Sequence, residues 1–197
     1  MRYYIRINFL PEPRDDTTLA GRCISILHGV INRYGYNDIA VAFPEWNENA
    51  VGSSIAFVSQ NPEQLSLLVS QKYFKEMASF KYFDIQPLKL VEEGGEEVAF
   101  VRTQAADKAT GSRRSVNFKR LAKRAELRGE VYKPRADSYR STFNHFHKIP
   151  ITSKGSEKSF ELNIELIKIK EKSLGVINNY GLSKKTGTPT SVPKELK

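Results

Sequence analysis

Near the start of the chain, Tyr3, Ile5, Ile7 and Phe9 alternate with Tyr4, Arg6 and Asn8. That period of two predicts a strand with the first set on its buried face. A turn, "PEPRDD", follows, and Asp15 or Asp16 can cap the next element. From Thr17 to Tyr34, the residues Leu19, Cys23, Ile26, Leu27, Val30 and Tyr34 recur at helical spacing. "DIAVAFP" (38–44) reads as a strand stopped by Pro44, and "SSIAFVS" (53–59) as another. Residues 61–78 open with a capping Asn61 and a first-turn Pro62, which predicts a helix. Residues 81–91 form a further strand, with Pro87 placing it at an edge or bulge. The order β-α-β-β-α-β is the ferredoxin-like arrangement, an antiparallel sheet with two helices on one face.

The acidic, glycine-containing turn "EEGGEE" (92–97) marks a boundary. The pattern therefore predicts an α+β protein with a ferredoxin-like domain over 1–94. A C-terminal α+β domain carrying an arginine-rich helix covers 95–197. Strands are expected at 97–104, 148–153 and 159–169, the basic helix at 112–129, and a loosely ordered tail over "SKKTGTPTSVPKELK".

Charge adds a functional direction. The chain of 197 residues carries a net charge of +9, unevenly spread. Residues 1–100 hold 9 basic and 13 acidic groups, residues 101–148 hold 13 and 4, and residues 149–197 hold 9 and 5. A polyanionic partner held mainly by the middle of the chain fits that asymmetry, against the alternative of a solvated charged surface. The single cysteine, Cys23, forms no disulfide within the chain, which fits a reducing compartment. No apolar run approaches the roughly 18 residues of a membrane span, and "MRYYIRINFL" lacks a signal-peptide pattern. A cytoplasmic protein with no membrane partner is expected.

The stretch "SRRSVNFKRLAKRAELRG" contains Arg113, Arg114, Lys119, Arg120, Lys123, Arg124 and Arg128 against one acid, Glu126. On a helix, Phe118, Leu121, Ala122 and Ala125 share a narrow apolar side, while Arg113, Arg120, Arg124 and Arg128 gather roughly opposite. Such a face repels itself unless an anion neutralises it, and arginine suits phosphate. The deep, narrow major groove of A-form RNA, lined by phosphates on both sides, suits it in shape, while charge alone leaves DNA and acidic protein open.

Three histidines bear on chemistry. His28 lies on the first long helix nearly opposite the apolar stripe, beside Ser25 and Asn32. It is either an ordinary surface histidine or a proton-transfer group facing a substrate. His145 and His147 form H-x-H, but no nearby Cys, His or acidic pattern completes a metal site. No phosphate-binding loop, zinc ribbon or acidic metal motif appears, so no cofactor and no metal are expected. Cleavage of RNA can proceed without a metal, because the substrate's own 2′-hydroxyl serves as nucleophile.

The opening "YYIRINFLPEP", the segment "IAVAFPEW", the strand end "FVRTQ", the arginine-rich helix, "TSKGSEKSF" and the late "YGLS" occur here in one order. In these, over nearly its whole length, the chain resembles the CRISPR repeat-processing endoribonucleases of subtype I-F (the Csy-four, or Cas-six-f, family). The resemblance implies binding of a repeat RNA hairpin, metal-independent cutting at its 3′ base to a 2′,3′-cyclic phosphate, and retention as a subunit of a surveillance complex. It implies that the arginine-rich helix enters the hairpin's major groove. It further implies that Arg102 and Gln104 read base edges, where arginine suits guanine and glutamine suits adenine. By the same resemblance Ser153 holds the 2′-hydroxyl, Phe160 stacks on a base near the cut, and Tyr180 orients the catalytic histidine. Aligning "SILHG" by its flanks puts the family's histidine position at Asn32, and His28, one turn earlier on the same face, is taken to reach the same phosphate. The residues alone would make Phe160 core and Tyr180 a turn residue. The chain ends "VPKELK" where the family usually ends in aromatic residues, which points to a divergent branch.

Two functions follow from this reading: a sequence- and structure-specific endoribonuclease, or a non-catalytic RNA-hairpin-binding subunit of the same kind of complex. A third class, a basic structural protein of the ribosome, would explain the charge but not a histidine opposite the apolar stripe of its helix.

Overall fold

The computed structural model describes residues 1–10, 12–103, 111–133, 144–152, 159–185 and 187–197, with the backbone alone for 111–114 and 117. In chain order the elements are β1 (Tyr3–Phe9), α1 (Asp16–Tyr34), β2 (Ala40–Ala42), β3 (Ser54–Ser59), α2 (Pro62–Val69), α3 (Lys72–Ser79), β4 (Phe83–Ile85) and β5 (Lys89–Leu90). They continue as β6 (Glu97–Arg102), α4 (Gly111–Glu126), β7 (Phe146–Thr152), β8 (Ser159–Ile169) and β9 (Val192–Pro193). The protein is mixed α+β, with two antiparallel sheets and four helices among the described residues.

The first sheet runs β2-β3-β1-β4, and β5 pairs with β1 beyond β4. The expected strand over 81–91 is thus two short strands, because Pro87 between them has no N–H for the ladder. The expected helix over 61–78 is also two. Ser70 Oγ and Gln71 Nε2 both donate to the Leu67 carbonyl (2.8 and 3.0 Å), and Gln71 turns extended. These side chains offer the backbone an alternative to continuing the helix.

The second sheet runs β7-β8-β6-β9. Asp15 caps α1, accepting from the Thr18 N–H at 3.0 Å, and Gly35 ends it in the left-handed region at φ 71°. α1 packs against both sheets, touching β3 on one side and β7 on the other. Its buried face is accordingly wider than the predicted stripe. Ala20, Ile24 and Ile31 are buried with Cys23, Leu27 and Val30, whereas Leu19 and Ile26 are half-buried and Tyr34 is exposed. Gly21 lets the strand close in: a Cβ there would lie 2.0 Å from the Pro150 carbonyl oxygen. One hydrophobic cluster joins residues of both sheets, including Ile7, Leu27, Phe57, Phe100, Ile149 and Leu162.

The C-terminal segment is packed rather than loose. Val192 and Leu196 are buried, Tyr4 Oη donates to the Lys197 carbonyl, and Arg6 Nη1 donates to that of Leu196 at 2.8 Å. It covers the second face of β1, so Tyr4 is buried there instead of facing solvent. Nearby, Arg2 and Glu97 form an ion pair across the two sheets, with side chains 5% and 12% exposed.

Candidate functional site

The segment 177–183 is a tight loop pinned on three sides. Ser183 N–H donates to the Phe100 carbonyl on β6 (2.9 Å), and Val41 N–H on β2 donates to the Gly181 carbonyl (2.8 Å). Asn178 ties the turn internally, its Oδ1 accepting from the Tyr180 N–H at 2.8 Å. On the third side the turn presses on α1. Gly181 has φ 72°, and a Cβ there would come within 2.6 Å of Leu27 and 2.7 Å of Val41. Only glycine fits both the backbone angle and the space.

That close approach sets Tyr180 on His28. The rings stack with centroids 4.4 Å apart and planes 10° from parallel. Phe160, on β8 opposite Ile151, meets Tyr180 edge to face at 6.2 Å. His28 is half-buried and closed into a ring of hydrogen bonds. His28 Nδ1 lies 2.9 Å from the Asn179 carbonyl, Asn32 Nδ2 lies 2.9 Å from His28 Nε2, and Asn179 Nδ2 donates to Asn32 Oδ1 at 2.9 Å. A carbonyl only accepts, so Nδ1 carries the hydrogen. Nε2 then keeps its lone pair and accepts from the Asn32 amide. The arrangement holds Nε2 as an acceptor under one displaceable amide, that of the exposed Asn32.

The other histidines do something different. His147 Nε2 donates to the Asn47 carbonyl at 2.8 Å and its ring packs on Trp46 at 4.4 Å, so it ties β7 to the loop after β2. His145 lies 3.3 Å from it. Among the described residues no three His, Cys, Asp or Glu side chains converge as metal ligands would.

The basic helix, α4, spans Gly111–Glu126, so Arg128 lies in the turn after it. Ala125 is buried, and Leu121 and Ala122 are half-buried at the edge of the apolar side. Phe118 is exposed but meets Tyr132 edge to face at 5.5 Å. Lys119, Arg120, Lys123 and Arg124 are all exposed. Arg128 pairs with Glu130 at 3.2 Å, a partner outside the helix that the wheel did not include. Arg113 and Arg114 fall in the first turn of α4, where only the backbone is described.

Arg102 ends β6 opposite Ile164, half-buried, its Nε buried without a hydrogen-bond partner among the described residues. Gln104 and Ser153 lie outside the described residues. Thr152, which precedes Ser153, is exposed at the end of β7.

A family model described as CRISPR-associated protein (Cas_Csy4) matches residues 4–194. The chain belongs to the Cas_Csy4 family. Family membership makes it a CRISPR-associated protein and implies a part in RNA processing. No curated protein matches it. Among solved structures it is similar to a crystal structure named for a putative chlorite dismutase, with 11% identity, 87% of this chain and 80% of that chain covered, and a TM-score of 0.27. So low a score carries no argument about fold. No helix among the described residues is long and apolar enough to cross a membrane.

In this Cas_Csy4-family chain the structure brings His28, Tyr180 and Phe160 together from far-separated parts of the sequence. Sequence reasoning missed Asn179, whose backbone carbonyl meets His28 and whose side-chain amide meets Asn32, both from 147 or more positions away in the chain. The sequence places Asn32 four positions from His28 on the same helix face, but not the hydrogen bond between the two side chains.

Proposed function

We propose that this chain is a metal-independent endoribonuclease that cuts a CRISPR repeat hairpin at its 3′ base and stays on the hairpin within a type I-F surveillance complex. The observation that carries this reading is the His28 ring, in which the Asn179 carbonyl fixes the tautomer and Tyr180 fixes the plane. His28 Nε2 takes the proton of the 2′-hydroxyl beside the scissile phosphate, displacing the Asn32 amide. The 2′-oxygen attacks phosphorus, the bond to the 5′-oxygen breaks, and that oxygen takes up a proton as it leaves. The products are a 2′,3′-cyclic phosphate and a 5′-hydroxyl. Freed from Nε2, the Asn32 amide can donate to a phosphate oxygen. Ser153, one residue beyond Thr152, holds the 2′-hydroxyl, and Phe160 stacks on the neighbouring base.

The remaining assignments serve binding. Lys119, Arg120, Lys123 and Arg124 of α4, with Arg113, Arg114 and Arg128, contact hairpin phosphates, while Arg102 and Gln104 read base edges. The order β4-β1-β3-β2 of the first sheet supports the ferredoxin-like reading of residues 1–94. Residues 95–197 then form the hairpin-binding half. The protein works in the cytoplasm, where its RNA is made.

Incubating a labelled repeat hairpin with the protein in EDTA tests this. Cutting in EDTA that stops when the nucleotide 5′ of the scissile phosphate is made 2′-deoxy supports it. Binding without cutting of the all-ribose hairpin would leave the chain a binding subunit.

A further inference from the structure

We infer that the groove between α1 and α3 takes single-stranded RNA from just beyond the scissile phosphate, on the strand that departs after cutting. This rests on the reading of His28 as the proton acceptor. The groove has a volume of about 730 Å³ and adjoins the His28 site on two elements. Gly29, the residue after His28, lines it from α1, and Thr152, the residue before Ser153, lines it from β7.

Three observations select the occupant. The first is charge. Arg22, Arg33 and Lys72 line the groove against a single carboxylate, Glu76. Glu76 pairs with Lys72 at 3.5 Å, both well exposed, while neither Arg22 nor Arg33 forms an ion pair among the described residues. Arg22 and Arg33 stand eleven positions apart along one side of α1, about 16 Å of helix. That separation lets them meet phosphates a few nucleotides apart along an extended strand.

The second is an aromatic platform. Tyr34, 42% exposed, lies under the Arg33 guanidinium at 5.4 Å and stacks on Tyr36 at 5.5 Å. An exposed ring such as Tyr34, beside cations and backed by the half-buried Tyr36, suits unpaired bases, whose faces are free to stack.

The third is Gly29 itself. Glycine inside a helix is disfavoured relative to alanine. Among the described residues no atom outside its own stretch of helix lies within 4 Å of where a Gly29 Cβ would stand, and its backbone is ordinary helix. The packing of the described residues therefore does not account for the missing side chain. A ligand passing close to the helix backbone does.

The test uses the full chain and a repeat hairpin made 2′-deoxy at the nucleotide 5′ of the scissile phosphate. The hairpin either stops at the scissile position or continues into a short 3′ single strand. The extension should tighten wild-type binding by about tenfold, one good stacking interaction. Gly29→Leu should abolish that gain while leaving the affinity for the bare hairpin and the melting temperature intact. Arg22→Ala with Arg33→Ala should abolish it too, and should reduce the log–log salt slope for the extended RNA alone by roughly one unit per arginine. Equal wild-type affinity for both RNAs overturns the inference and leaves the proposed function standing, since the bare hairpin still binds. Variants that weaken both RNAs equally also overturn it. If the extension adds nothing but Gly29→Leu blocks assembly with another subunit, the groove belongs to a protein and the inference is wrong. Failure of wild type to bind either RNA removes both readings.

Discussion

Gly181 decides where Tyr180 stands. Its left-handed backbone and the 2.6 Å approach to Leu27 hold the loop against α1, and the stacking of Tyr180 on His28 follows from that approach. Gly181→Ala should therefore lower both the melting temperature and the cutting rate. Tyr180→Phe should preserve most of the rate, because the stacked ring is kept, whereas Tyr180→Ala should slow cutting through a misplaced imidazole. Single-turnover cleavage with thermal melts on the same samples checks this. If Tyr180→Phe is as slow as Tyr180→Ala, the hydroxyl takes part and stacking alone is the wrong account. At this scale the sequence shows His28 to lie off the apolar stripe, and resemblance supplies Tyr180. The ring of Asn32 and Asn179 is not legible there, because it depends on a backbone carbonyl brought in from 151 positions away.

The elements separate what local pattern can reveal from what it cannot. β8 falls on the predicted 159–169, since a long alternating run between turn residues leaves little choice. The apolar stripe of α1 understates its buried face, because a helix covered by two sheets buries more than one side, and that depends on β7 arriving from far along the chain. The last residues resemble a tail in sequence because the polar and proline content hides two anchors, Val192 and Leu196, and carbonyls that accept from Tyr4 and Arg6. For α4, the clustering of basic residues on an exposed helix is visible in sequence. Arg120→Ala with Arg124→Ala should weaken hairpin binding. The log–log salt slope should fall by roughly one unit, or a little less, for each phosphate that the variant no longer neutralises. Titrations at several salt concentrations measure it, and an unchanged slope would mean that α4 does not dock the RNA.

Across the whole molecule, the Arg2–Glu97 pair bridges the two sheets. Burial raises the Glu97 carboxyl, but hydrogen bonds from Arg2 and Ser191 and the Arg2 charge outweigh it, so the group titrates below the usual carboxylate range. A depressed folded value means that the pair stabilises the fold above the unfolded pKa, about 4.3. That stability is lost as pH falls through the lower folded value. Glu97→Ala leaves Arg2 buried and unpaired, which should cost about 3–5 kcal/mol near neutral pH, and should flatten the acid limb of a stability–pH curve. Denaturant melts from neutral to acid pH test both, and a parallel curve for the variant would show the pair contributes nothing. The basic residues of α4 and the His28 ring lie on different elements, so under the proposed function binding and cutting should be separable. The most direct measurement is the single-turnover cutting rate of His28→Ala in EDTA, beside its hairpin Kd, with His145→Ala as control. Cutting should be slower by roughly 10²–10⁴-fold with Kd nearly unchanged and a normal rate for the control. Wild-type cutting by His28→Ala would contradict His28 as the proton acceptor.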